Sequence, residues 1–248
     1  MTSVEETKAA NKRFFDVAAD VYEEVDSRRD DRVSGWLDDS IDRLKLRTGG
    51  GSILDIGCGT GFVMRKAEGK FKLIVGVDIS REMLKQVKVG YPVCADTDNL
   101  PFKDGVFDAA AAIALLHHVL DHGSLFSETY RVLRNGGVFY SDHDIDSGFV
   151  RKFGWLVRLR RKFCDNSIGY LKAKKELTRE LYEKSEIHHD GVDSEKLRTQ
   201  LKEAGFSKVD VKYHWLGLNT VLNAVMSLPS LKYLPHGYAP NASFWARK

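Results

Sequence analysis

The sequence is poor in cysteine. Its 248 residues hold three, Cys58, Cys94 and Cys164. They lie far apart, are odd in number and form no CxxC pair, so neither a disulfide framework nor a thiol-based zinc site is indicated. Incidental or structural thiols are expected. Long apolar runs are also missing. None approaches the roughly 18 residues of a membrane span, and the polar start lacks the apolar core of a signal peptide. A cytoplasmic setting is the expectation. Nor does one sign of charge dominate. The 38 basic and 35 acidic residues leave a net charge of +3, too balanced to suggest a nucleic-acid partner. What is present is the composition of an ordinary globular chain, long enough to bury the core of one large α/β domain.

The most informative stretch is Ile53-Leu54-Asp55-Ile56-Gly57-Cys58-Gly59-Thr60-Gly61. An apolar strand ends in an acid and then in glycines at alternate positions. Glycine accepts the tight turn that other residues resist. Such a turn exposes backbone N–H groups and leads into a helix N-terminus. Asp78 closes the next strand, Leu73 to Val77, about twenty residues on, where an acid can bind ribose hydroxyls. Asp96 follows the third strand at the same edge.

Apolar spacing predicts a helix to about Tyr22, and a second near Val33 to Leu46 with Trp36, Leu37, Ile41 and Leu44 on one face. Strands are expected at 52–56, 72–77, 91–94, 107–113 and 136–142. Helices are expected near 61–68, 80–88 and 122–134, with Asn135-Gly136-Gly137 as a helix stop. The alternation argues for a parallel sheet covered on both faces. After Asp146 the pattern changes to a basic, helical insert. A helix at 194–204, stopped by Gly205, then precedes a strand at 207–215 and a last strand at 243–246. This divides one domain into an N-terminal helical cap (1–47), a cofactor-binding core (48–146), a helical insert or lid (147–190) and the C-terminal part of the sheet (191–248).

The blocks ILDIGCGTG at 53–61, GVDIS at 76–80, ADTDNLPFKDGVFD at 95–108, LLHHV at 115–119 and RVLRNGGVFY at 131–140 resemble the class I S-adenosylmethionine-dependent methyltransferases. The likeness is greatest to the "methyltransferase type 11" group that includes the ubiquinone/menaquinone biosynthesis enzymes. FFDVAADVYEE at 14–24 is similar to that family's cap. The resemblance implies a Rossmann-like, seven-stranded, mostly parallel sheet with helices on both faces and the last strand antiparallel. It implies S-adenosylmethionine as cofactor and assigns roles by position. Gly57, Gly59 and Gly61 would approach the methionine part, and Asp55 would help hold its amino group. Asp78 would accept from the ribose hydroxyls, and Ile79 would pack on adenine. Asp96 and the Thr97 backbone would meet the adenine edge. The carbonyls of Ala112 and Ile113 would take the ammonium, and Tyr22 would belong to a lid or else be a buried helix aromatic. The chemistry agrees. A sulfonium cation without pyrophosphate calls for acids and carbonyls, and Gly61 falls one residue short of the dinucleotide Gly-x-Gly-x-x-Gly spacing.

No catalytic residue stands out. Methyl transfer needs mainly alignment and exclusion of water, with a general base only if the nucleophile must lose a proton. His117, His118, His143, Asp142 and Asp144 are the candidates. The pair His117-His118 either supports the following helix or takes part in the chemistry. The stretch Ser141 to Asp146 follows the fifth strand and either touches substrate, forms a solvated loop or caps the next helix. Its acids and His143 are too close in sequence to converge on an ion, so no metal is expected.

For the acceptor, the place after the fourth strand reads Ile113-Ala114-Leu115-Leu116. It lacks the Asn/Asp-Pro-Pro-Tyr/Phe element by which enzymes methylating exocyclic amino groups resemble one another. Nucleic acid is therefore disfavoured, and a small-molecule or lipid-like acceptor is expected. Apolar residues between Trp215 and Leu234 would line a pocket, or else serve as core or dimer contact. The basic insert, with Arg158, Arg160, Arg161 and Lys162, is a solvated cover of the site, an interfacial helix for anionic lipid or a surface for an acidic or phosphorylated substrate, RNA included. Two other functions stay open: a cofactor-binding protein without methyl transfer, and an NAD(P) oxidoreductase. Oligomeric state is not legible.

Overall fold

The structure is a computed structural model that describes residues 3–25, 31–163, 167–216 and 233–248, with the side chains of all of these except 159–163. Seven strands form a single sheet in the order β3-β2-β1-β4-β5-β7-β6. They are β1 (Ser52–Ile56), β2 (Leu73–Asp78), β3 (Tyr91–Cys94), β4 (Phe107–Ile113), β5 (Leu133–Ile145), β6 (Lys208–His214) and β7 (Asn241–Arg247). Strands β1 to β5 are parallel, whereas β7 runs antiparallel to both β5 and β6. The expected sheet is therefore present, last strand included.

Strand alternation sorts side chains onto two cores. Leu54, Ile56, Val75, Val77, Ala110, Ala112 and Phe139 point to one face, where they meet Leu125 and Phe126 of α6 (His122–Val132) and Leu197 and Leu201 of α10 (Ser194–Glu203). Ile53, Ile74, Ala109, Ala111, Val138 and Tyr140 point to the other face. There α3 (Asp31–Thr48) presents Val33, Leu37, Ile41 and Leu44, a stripe at helical spacing, beside Val63 and Met64 of α4 (Phe62–Ala67). Central β4 is buried along nearly its whole length, which explains its run of small alanines.

A third cluster stands apart from the sheet. Phe14 and Ala18 of α1 (Val4–Ala18) pack with Tyr170 of α8 (Ser167–Ala173) and Leu177, with Tyr182 of α9 (Arg179–Ser185) against them. The N-terminal segment and the insert thus share one apolar cluster. Its first helix starts on a capping box, Ser3 with Glu6.

Several boundaries differ from the expectation. The first helix ends at Ala18, and Tyr22 opens a separate turn of helix, α2 (Tyr22–Val25). The helix expected at 80–88 is only α5 (Arg81–Leu84), begun by the Ser80 side chain. Asn135-Gly136-Gly137 is no helix stop. Helix α6 already ends at Val132, and the Gly-Gly pair lies in a bulge where β5 changes register against β4. Helix α7 (Ser147–Phe163) carries a break at Phe153.

The chain winds from β1 outward to β3 and returns to β4 on the other side of β1. The carboxyl ends of β1 and β4 consequently flank the switch point of the sheet, where open α/β folds bind ligands.

Burial predicts different outcomes at two leucines of α3. Leu37 is fully buried and Leu46 is 84% exposed. Leu37→Ala should lower the unfolding free energy by about 2–5 kcal/mol, and Leu46→Ala should stay within about 0.5 kcal/mol. Urea denaturation followed by circular dichroism measures both.

Candidate active site

A cleft opens at that switch point. It encloses about 1100 Å³ counted out to solvent, and its floor is formed by Asp55, Gly57, Cys58, Gly59, Asp78 and Ile113. The glycine turn shapes the floor. Gly57, Gly59 and Gly61 all have positive φ (70°, 53° and 82°), which side chains resist. At Gly57 a Cβ would also fall 2.6 Å from Leu115 Cδ1.

The partly buried Asp78 carboxylate fixes this turn. Its Oδ2 accepts from the Gly59 N–H at 2.9 Å and its Oδ1 from the Ser80 N–H at 2.8 Å. Burial pushes its carboxyl up, against the pull of those backbone donors. The side walls carry Ile79, Asp96, Thr97 and Asp98, and Tyr22, Phe15, Lys8 and Asn11 close over the cleft from the N-terminal helices. Of the sequence-predicted cofactor residues, Tyr22, Asp55, Gly57, Gly59, Asp78, Ile79, Asp96, Thr97 and Ile113 line the cleft together. Gly61 and Ala112 are outside its lining: Gly61 precedes α4, and Ala112 is fully buried within β4.

Lys8 carried no sequence signal. Its Nζ lies 2.8 Å from Asp96 and 2.6 Å from Asp98. Those two carboxylates hold its ammonium well above the usual lysine range, outweighing its partial burial, which pulls the other way. The cap is fastened at three further points. Asn11 donates to the His118 carbonyl at 2.8 Å. Ser80 donates to Asp16 at 2.6 Å. Glu23 accepts from Thr60 at 2.9 Å and from Arg65 at 2.7 Å.

The stretch Ser141 to Asp146 is neither a loop nor part of the cleft. Strand β5 continues through it to Ile145, and Asp142, Asp144 and Asp146 are fully buried. Asp142 accepts from Trp36 Nε1 at 2.9 Å, His214 Nε2 at 2.7 Å, the His143 N–H at 2.6 Å and the Tyr140 hydroxyl. Asp142 and His143 are therefore not among the residues lining this cleft, and His143, with φ of 67°, sits where β5 shifts register against β7. Asp146 instead begins α7, accepting from the Phe149 N–H at 3.1 Å. His117 donates through Nδ1 and its backbone N–H to Asp144 Oδ1, at 2.6 and 3.0 Å. Only His118 of the predicted histidines reaches the cleft. Burial, with His117 beside it, lowers its imidazole to about 4.

Of the apolar residues between 215 and 234, for which pocket, core and dimer contact are all open, few are described. Trp215 packs on Phe149 with ring centroids 5.2 Å apart, and Leu216 belongs to the α3-side core. Residues 217–232 lie outside the described residues, as do the side chains of Arg160, Arg161 and Lys162 and the whole of Cys164.

Comparison with known proteins closes the question of family. Residues 54–141 match the methyltransferase domain family. A demethylmenaquinone methyltransferase of Staphylococcus haemolyticus is 30% identical over 173 residues, covering 66% of this chain and 71% of that protein. The chain belongs to the class I S-adenosylmethionine-dependent methyltransferases. An uncharacterized chloroplastic methyltransferase of Arabidopsis thaliana is 32% identical over 140 residues, and the match spans only 38% of its length. The fold of this methyltransferase agrees with that of a SAM-dependent methyltransferase from Thermotoga maritima. The two superpose with a TM-score of 0.60 at 20% identity, over 96% of this chain and 99% of the other. Among the described residues, no helix of the methyltransferase is long and apolar enough to cross a membrane.

The Asp142 network predicts acid sensitivity. Burial pushes this carboxyl up, but His214, His143 and Tyr140 outweigh burial and hold it below the usual range. Its stabilisation is therefore complete above the unfolded carboxyl value of about 3.9 and lost as pH falls below it. Asp142→Ala should cost about 3–5 kcal/mol near neutrality, and its urea midpoint should fall less steeply than the wild type's below about pH 4.

Proposed function

We propose that the cleft holds S-adenosylmethionine and delivers its methyl group to a small-molecule or lipid-like acceptor. The acidic lining is the observation that supports the donor. Asp55, Asp78, Asp96 and Asp98 line the cleft, with Lys8 as the single basic side chain among the lining residues. Such a surface suits a sulfonium cation and disfavours a pyrophosphate. When bound, S-adenosylmethionine supplies a methyl group already activated by the positive sulfur.

The placement of the chain's own residues supports a role for each. Asp78 has lone pairs left beyond its two backbone donors and accepts from the ribose hydroxyls. Ile79 packs on the adenine, and Asp96 with the Thr97 backbone meets its edge. The Gly57-Gly59 backbone lets the methionine part approach the turn, and Asp55 and the Ile113 carbonyl attract its ammonium. Lys8 and Tyr22 cover the bound donor, and α1 and α2 with α8 and α9 act as a lid that excludes water from the transfer; α3, expected in the cap, packs on the sheet instead.

The apolar lining residues Phe15, Leu115, Val119 and Leu120 support an apolar acceptor. So does the relative whose name specifies demethylmenaquinone. Exposed Trp155 on basic α7 supports a peripheral contact with anionic lipid as a route to such an acceptor.

Calorimetry should find binding of S-adenosylmethionine and not of NAD(H); the reverse would overturn the donor assignment. Asp78→Ala should weaken the donor by about 1–3 kcal/mol, and an unchanged affinity would contradict the ribose role. S-adenosylhomocysteine should be released with prenylated quinones or apolar phenols. Release only with RNA would contradict the acceptor class.

A further inference from the structure

His117 and His118, just after β4, meet Glu186 at the end of α9. Each offers one ligand atom, and these atoms all lie within 4.8 Å of one another. Glu186 Oε2 is 3.8 Å from His117 Nε2, and Glu186 Oε1 is 4.0 Å from His118 Nε2. Both gaps are too long for hydrogen bonds. Both are shorter than the sum of two metal–ligand bonds, about 4.1 Å for imidazole nitrogen or carboxylate oxygen on zinc.

The imidazoles are oriented as metal ligands usually are. The Nδ1 of His118 is bonded to the Ser185 carbonyl at 2.7 Å, which fixes the proton on Nδ1 and leaves the lone pair on Nε2. That lone pair faces a carboxylate oxygen, an acceptor opposite an acceptor. The arrangement is favourable only with a cation or proton between them. His117 Nδ1 is bonded to Asp144 Oδ1 at 2.6 Å, the carboxylate–histidine pairing that sets ring orientation and raises ligand basicity. Glu186 is held by its own backbone, which donates to the Tyr182 carbonyl at 3.1 Å.

We propose that His117, His118 and Glu186 bind one divalent first-row transition-metal ion. Two imidazoles and one carboxylate suit zinc and its neighbours. Three protein ligands leave at least one position of a tetrahedral ion for water or an added oxygen donor. Because His118 also lines the cleft, that donor is a hydroxyl or carbonyl oxygen of the acceptor. This last role rests on the methyl-transfer reading, whereas metal binding itself does not. The site reverses the expectation of no metal. Glu186 lies in the insert, far in sequence from the histidine pair.

The test uses the full chain, stripped with a chelator and titrated with Zn²⁺ by calorimetry without any methyl donor. One ion per chain is expected, and Co²⁺ should give a visible ligand-field spectrum of a nitrogen/oxygen site. Glu186→Gln and His118→Gln should each weaken Zn²⁺ binding at least about tenfold while circular dichroism stays unchanged. If one variant fails to fold, the other decides. If both fail, the stoichiometry and Co²⁺ spectrum of the wild type decide. Absence of stoichiometric binding, or the same affinity in wild type and folded variants, would overturn the proposal. S-adenosylmethionine titrated separately into the stripped chain distinguishes this failure from failure of the donor reading.

Discussion

The geometry of the cleft depends on one partly buried carboxylate. Asp78 ends β2 and takes one hydrogen bond from the glycine turn after β1 and another from the start of α5. Two neighbouring strand ends are thereby locked together through a single side chain. Because Gly57 and Gly59 have positive φ, that turn is available only to a sequence with glycine there. The acid and the glycines make one unit: the glycines allow the turn, and the acid determines which way its N–H groups point. A phosphate-binding turn would leave those N–H groups for an anion. Here one of them is already turned toward an internal anion, so the floor of the cleft is acidic.

The cap extends the same electrostatic arrangement. Lys8 returns from the N-terminal helix to the acids after β3, and Glu23 returns to Arg65 behind the glycine turn. These contacts are polar and partly exposed, each worth little alone. The apolar cluster of Phe14, Tyr170 and Leu177 sets the position of α1 more firmly, and it is shared with the insert. Movement of the cap therefore entails movement of the insert. Glu186 is carried on that same insert, which couples the histidine pair after β4 to the cover of the cleft.

Much of the sheet was legible because its signals are local. Alternation and small residues identify β1, β2 and β4, and the glycine turn with Asp78 identifies the switch point. What was hidden depends on distant pairing. Lys8 meets acids some ninety positions away, and no pattern around it marks that contact. The acids of Ser141 to Asp146 look like a polar loop until β7 pairs with β5 and carries them inside. Asn135-Gly136-Gly137 has the chemistry of a helix end, yet it serves as a strand bulge. In each case tertiary pairing overrode a sound local preference.

Fold and family leave the acceptor to the parts added around the sheet, as is usual where one architecture hosts many substrates. The donor site is the firmer ground, and it rests on Asp78. A crystal structure of the chain with S-adenosylhomocysteine tests it most directly. The ribose hydroxyls should lie within hydrogen-bond distance of the Asp78 carboxylate, with adenine on Ile79 and its edge toward Asp96. A nucleoside bound elsewhere, or a ribose that does not touch Asp78, would contradict the account.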